Sequence, residues 1–257
     1  MCRIENKRLE GLGKAPAFYP VLFYILDLVP KSFETRDFYV SLFLFMLCTG
    51  QRYITICNIK LSDIKSVVFK GNKLSIKIIC RITKANEDWY QPFILEGELE
   101  DNRIMNFVYW LNKFLINFHD LDLQHFDSWN KDECKIKYLW GRKNRDFKEK
   151  IPYSTVYSKW RYFYQQAGIP QKLLGIHSFR SGFYCQSLLN ASIKGEDYNV
   201  MNELSMLLAG WRSSRDRATY NKNEMRSLIT PLGVIENPSP EQMLGCDMQF
   251  ESLWDKT

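Results

Sequence analysis

The sequence predicts an α+β domain, mostly α-helical, with one small antiparallel sheet. Three observations carry that reading. Apolar residues recur at helical spacing in separate segments, most clearly Ile104, Phe107, Val108, Leu111, Leu115 and Phe118. Between Val67 and Leu95 the period shortens to β-branched and aromatic runs around a Lys70-Gly71-Asn72-Lys73 turn. The 257 residues, 46% hydrophobic and 15% aromatic, supply a sizeable core and exclude a disordered or fibrous chain.

In chain order, Tyr19 to Leu28 is a short apolar helix ended near Pro30. Glu34 to Cys48 is a second helix, with Gly50 as its C-terminal stop. Tyr53 to Ile59 is a third, and Leu61-Ser62-Asp63-Ile64 leads out of it. Val67-Val68-Phe69, Leu74 to Ile82 and Tyr90 to Leu95 form the sheet, with Lys84 in the turn region between the second and third strands. Asp101 to Phe118 is a strongly amphipathic helix, and the polar stretch from His119 to Cys134 reads as loop. Further helices follow at Ser154 to Ala167, His177 to Asn190, Tyr198 to Leu208 and Arg215 to Asn221. The tail is irregular until Glu241 to Trp254. The expected division is an N-terminal extension or remnant linker over 1–16, one domain over 17–230 and a C-terminal tail over 231–257.

Net charge is +6, and its distribution says more than its size. Lys60 to Lys84 holds seven basic residues and one acidic; Lys131 to Arg161 holds ten and four. Ala85 to Asp127 has two basic against nine acidic, and Leu232 to Thr257 one against five. Positive charge gathered in blocks suits a face that binds a polyanion. Seven cysteines, an odd number without C-x-x-C spacing or a Cys/His cluster, point to a reduced intracellular compartment and no zinc site. The N-terminus lacks a signal peptide's apolar core, and the greasiest stretches are interrupted or too short to span a bilayer.

Six residues make a set suited to attack on a phosphodiester: Arg52, Lys84, His177, Arg180, Trp211 and Tyr220. Such attack loads charge onto the non-bridging oxygens. A pair of guanidinium forks, Arg52 and Arg180, fits those oxygens and is permanently charged. His177, three residues before Arg180, shares a helix face with it and can donate to phosphate or move a proton. Trp211 offers an indole N–H that donates and never needs deprotonation. Tyr220 offers a phenol oxygen as nucleophile, and nearby cations favour its phenolate. Lys84 on a hairpin can protonate a departing 5′ oxygen. Each residue alone is commonplace on a surface or in a core. Their order along the chain is what singles them out.

Taken together, these segments resemble the tyrosine recombinase, or phage integrase, family over about residues 45–222, most closely its Cre-like variants and with the flavour of crypton-type mobile elements. Leu47-Cys48-Thr49-Gly50-Gln51-Arg52 looks like the T-G-x-R box, and Ile82-Thr83-Lys84 is similar to the lysine hairpin. His177-Ser178-Phe179-Arg180 looks like the H-x-x-R box, and Ala209-Gly210-Trp211 resembles the G-H/W box in its tryptophan form. Tyr220 falls at the family's nucleophile spacing. The resemblance implies the family's catalytic fold. It also implies a site-specific enzyme that cuts and rejoins double-stranded DNA through a 3′-phosphotyrosyl link without metal or cofactor. The protein would act as a homotetramer on two duplexes, inside the cell with DNA and in the nucleus of a eukaryotic host. Residues after Asn221 would dock on a neighbouring protomer. Two departures stand out. Thr55 occupies the place of the family's acidic residue three positions after the first arginine, and too little chain precedes Phe18 to form the family's N-terminal DNA clamp. Two other readings share the residues: a type IB topoisomerase acting as a monomer, and a relative that holds DNA without cutting it.

Overall fold

A computed structural model describes residues 19–31, 34–84, 87–169, 175–193, 195–208, 229–230 and 233–234. The order is α1 (Tyr19–Asp27), α2 (Arg36–Thr49), α3 (Tyr53–Ile56), β1 (Ile64–Lys70), β2 (Lys73–Lys84) and β3 (Glu87–Gly97). After them come α4 (Phe107–His119), α5 (Lys131–Ile136), α6 (Tyr153–Gln166), α7 (His177–Ile193) and α8 (Tyr198–Leu208). Two short strands, β4 (Ile229–Thr230) and β5 (Gly233–Val234), pair antiparallel. The chain falls into two compact units, Leu26–Lys159 and a second whose described residues lie at 19–25 and from Trp160 onward. No helix among the described residues is long and apolar enough to cross a membrane.

The unit Leu26–Lys159 is built around α2. That helix is apolar on every side and buried along nearly its whole length, as a central core helix must be. Gly50 ends it in the left-handed conformation, φ 61°, and donates its N–H to Met46. Helix α4 lies against α2, with the Phe38 and Phe114 rings meeting edge-on at 5.4 Å. The sheet runs β1-β2-β3, antiparallel throughout. Alternate residues of β2, namely Leu74, Ile76, Ile78 and Cys80, face the core, as a half-buried strand requires. Phe45 of α2 bridges helix and sheet, reaching Phe93 at 6.4 Å and Trp140 at 5.1 Å. The Trp140 indole N–H donates to Ser41 at 3.0 Å. Gly71, φ 62°, makes the two-residue turn between the paired ends Lys70 and Lys73.

Three sequence expectations need correction here. Helix α4 starts at Phe107, not at Asp101, because Asn106 caps it. The Asn106 side chain accepts from the Tyr109 N–H and donates to the Glu98 and Asp101 carbonyls, so Asp101 to Met105 are held as an entry turn. The stretch from His119 to Cys134 is not plain loop. It holds a 3-10 turn at Leu123–Ser128 and the start of α5, whose cap Asn130 accepts from the Asp132 and Glu133 N–H groups. Third, the basic block from Lys131 is not a row of free cations: six of its ten are ion-paired among the described residues, although four carboxylates leave it net positive. Lys135 pairs with Asp132, Lys137 with Glu133 and Asp146, Arg142 and Arg145 with Glu149, and Lys148 with Asp146, while Lys143 reaches Glu34.

His119, the last residue of α4, lies buried against the Phe147 ring at 4.1 Å. Its Nε2 bonds the Leu139 carbonyl at 3.1 Å, whereas its buried Nδ1 has no partner. A proton on Nδ1 would be a buried donor with nothing to bond, and burial lowers the imidazole pKa to about 4. Above the unfolded value, near 6.5, both states are neutral and the residue has no effect on stability. Below it the unfolded chain takes up a proton that the folded chain refuses. Stability is therefore lost as pH falls from 6.5 towards 4, by on the order of 2–3 kcal/mol. Urea unfolding across that window should show this loss, and His119→Gln should remove most of it.

In the second unit, Trp160 of α6 is fully buried and packs on Tyr164 at 5.7 Å and on Phe179 of α7 at 4.5 Å. Helix α8 lies against α7, where the buried Tyr184 hydroxyl donates to Asn202 at 2.5 Å.

Candidate active site

The T-G-Q-R segment is a short linker between α2 and α3, and each of its residues has a structural task. Thr49 folds its hydroxyl back onto the Phe45 carbonyl at 2.7 Å and receives the Gln51 N–H at 3.4 Å. Gly50 supplies the left-handed turn, and Gln51 is buried. Arg52 then stands extended at the N-cap of α3, φ −69° and ψ 145°, half-buried. Its carbonyl accepts the Thr55 and Ile56 N–H groups at 2.9 and 3.2 Å. The backbone thus fixes where the guanidinium starts and leaves the side chain outside the helical hydrogen bonding. Thr55 is buried on the same first turn.

Lys84 is the last residue of β2 and pairs with Glu87 of β3, so it sits at the tip of the hairpin as the sequence predicts. The position of its side chain lies outside the described residues.

The H-S-F-R segment opens α7. Ser178 and Phe179 are its anchors. The Ser178 hydroxyl receives the Gly175 N–H at 3.0 Å, and the Phe179 ring sits against Trp160. His177 and Arg180 occupy the first turn around those anchors. His177 is exposed, while Arg180 is buried with 3% of its surface accessible. The two share the helix end at which the backbone dipole favours an anion. Arg52 and Lys84 belong to the unit Leu26–Lys159, whereas His177 and Arg180 belong to the other. Trp211 and Tyr220 lie outside the described residues, as do the helix expected at Arg215 to Asn221 and the helix expected at Glu241 to Trp254. Trp160, which packs on Phe179 of the H-S-F-R segment, is a neighbour that no local pattern marks. Among the described residues no group of His, Cys, Asp and Glu side chains is arranged to hold a metal ion.

No protein-family model matches the sequence, and no curated protein matches it. Solved structures do. XerH site-specific recombinase bound to palindromic difH substrate in a post-cleavage complex matches with TM-score 0.53 at 13% identity, over 81% of this chain and 49% of the recombinase. The XerH pre-cleavage complex matches with TM-score 0.53 at 15% identity, over 85% of this chain and 54% of the recombinase. This chain therefore spans about half the length of those recombinases. The match carries no subtype within the family. Helices α1 to α8 and the antiparallel sheet β1-β2-β3 have the fold of the tyrosine recombinase catalytic domain.

Proposed function

We propose that this protein is a DNA breaking–rejoining enzyme of the tyrosine recombinase type, acting as a site-specific recombinase. One observation carries the reading. On this fold the T-G-Q-R and H-S-F-R segments each open a helix, α3 and α7, and the Ile82-Thr83-Lys84 segment ends at a hairpin tip. Those are places from which side chains can reach a phosphate. Both XerH structures hold a difH substrate, which favours double-stranded DNA as the partner here.

In this reading Tyr220 gives its phenol proton to solvent water, and its Oη attacks the scissile phosphorus. The bond from phosphorus to the 5′ oxygen breaks, and Lys84 gives that oxygen a proton. Arg52, Arg180, His177 and Trp211 hold the non-bridging oxygens while charge builds on them. The product is a 3′-phosphotyrosyl link and a free 5′ hydroxyl. Attack by another 5′ hydroxyl reverses each bond change and rejoins the strand without ATP. No metal or cofactor enters any step, and a homotetramer on two duplexes completes the exchange. The protein acts wherever the DNA is held.

The test is a library of nicked suicide duplexes with randomised sequence, from which the cleaved end can diffuse away. An SDS-resistant, protease-sensitive protein–DNA adduct is expected, with strand exchange between selected duplexes. Plasmid relaxation with no exchange would replace this reading with a type IB topoisomerase. DNA retained with no adduct would replace it with a non-catalytic binding protein, a role that the uncharged Thr55 suits better than a carboxylate would.

A further inference from the structure

Several cations of the unit Leu26–Lys159 are tied to carboxylates, and two others converge on one ring. The Lys60 ammonium lies 5.6 Å from the centre of the Tyr138 ring, and the Lys150 ammonium lies 5.7 Å from the same ring. Neither is within ion-pair distance of a carboxylate among the described residues. The Asp63 carboxylate, the nearest in sequence to Lys60, takes the Lys60 backbone N–H at 2.9 Å. Backbone pairing brings the lysines to this ring. Lys60 bridges Tyr138 antiparallel, and Lys150 bridges Gly141.

This pair is joined to the Arg52 segment. Tyr53, the next residue after Arg52, donates its hydroxyl to the carbonyl of Ile151, the neighbour of Lys150. The Cys57 thiol, at the end of α3, is raised by burial and partly lowered again by the Lys150 charge, so that ammonium stands near α3. Beyond Ile151 an aromatic row continues. Tyr53 meets Tyr153 edge-on at 5.3 Å, and Tyr153 stacks on Tyr157 at 5.8 Å with rings 12° apart. Tyr153, in the first turn of α6, is 47% exposed, and that turn holds no acidic side chain.

Two like charges on one ring repel each other. Each cation–π contact is worth about 0.5–1 kcal/mol at an exposed site, so the backbone bridges, not the ring, hold the two charges at this place. Anions bound at the two ammoniums offset the repulsion. We infer that Lys60 and Lys150, gathered at the Tyr138 ring, form with Tyr153, three residues after Lys150, an anchor for the DNA sugar–phosphate backbone, separate from the scissile phosphate assigned to Arg52. The lysines take phosphate oxygens, and the exposed Tyr153 ring packs on the adjoining sugar. This anchor rests on the proposed DNA-processing reading. It adds residues that none of the family-like boxes contains.

The experiment measures equilibrium binding of the full chain to a random-sequence duplex between roughly 50 and 200 mM salt. Each phosphate contact contributes about 0.9 to the slope of log affinity against log salt concentration. Lys60→Gln with Lys150→Gln should lower that slope by about 1.8 and leave the melting temperature unchanged. Lys135→Gln with Lys148→Gln removes the same charge from ammoniums already paired with Asp132 and Asp146, and should change the slope by less than about half as much. The anchor is overturned if the first pair lowers the slope by no more than the second. Should the parent chain show no salt-dependent DNA binding at all, the DNA-processing reading itself fails. A normal parent slope that the first pair leaves intact refutes the anchor alone.

Discussion

Tyr220→Phe abolishes the covalent protein–DNA adduct and leaves DNA affinity within about twofold of the parent. The substitution removes one oxygen and keeps the ring, so only the nucleophile is lost. None of the other proposed site residues can replace it. The guanidiniums carry no nucleophilic lone pair and the indole N–H only donates, while His177 is engaged in donating to a non-bridging oxygen and Lys84 in giving a proton to the departing oxygen. The loss should therefore be complete within detection, not partial. Denaturing gels of labelled suicide substrate after incubation with either protein measure it. Adduct formed by the variant at the parent rate would remove Tyr220 from the chemistry.

The second large effect is on the arginines. Arg52→Ala and Arg180→Ala should each slow strand cleavage by on the order of 10²–10³-fold, the usual cost of losing one preorganised donor at a charged transition state. Lysine should not restore the rate at either position, because a point charge cannot present the planar fork that grips two phosphate oxygens. The two positions differ in what else they do. Arg52 is half-buried, and its backbone, not its side chain, caps α3, so Arg52→Ala should melt like the parent. Arg180 is buried in the first turn of α7, so Arg180→Ala should lower the melting temperature as well as the rate. Single-turnover cleavage paired with thermal unfolding separates the two contributions. An Arg52→Ala protein with a parental cleavage rate would contradict the proposed role.

Those predictions rest on features the sequence shows unevenly. Local signals are plain. Gly50 is legible as the end of α2 because glycine enters the left-handed conformation without strain, and here it directly follows a long apolar helical run. The Gly71-Asn72 turn is legible between two β-branched runs, and β1, β2 and β3 follow from it. The start of α4 is not legible in the same way. Asp101 and Asn106 are both good caps, and the choice is made by the Asn106 amide reaching two carbonyls of the preceding turn. The α5 segment is hidden because its sequence is polar and short, and a single asparagine cap defines it.

The candidate site divides along the same line. T-G-Q-R and H-S-F-R are legible because their residues are close in sequence and each box marks a helix start. What holds the boxes is not. Trp160 meets Phe179, and Tyr53 meets Ile151, across intervals that only the folded chain closes. The charge pattern shows the largest difference. Counting charges from Lys131 to Arg161 suggests an open basic face, yet the fold brings Glu149 to Arg142 and Arg145, and Asp146 to Lys137 and Lys148. Lys60 and Lys150 are far apart in sequence, and the fold brings both ammoniums to the Tyr138 ring.

The most direct measurement is the identity of the linked residue. The trapped adduct is digested with protease and nuclease, and the peptide that keeps a nucleotide is sequenced by mass spectrometry. The account predicts one modified peptide, carrying a 3′-linked nucleotide on Tyr220. A nucleotide on any other residue, or one joined through its 5′ phosphate, would contradict it.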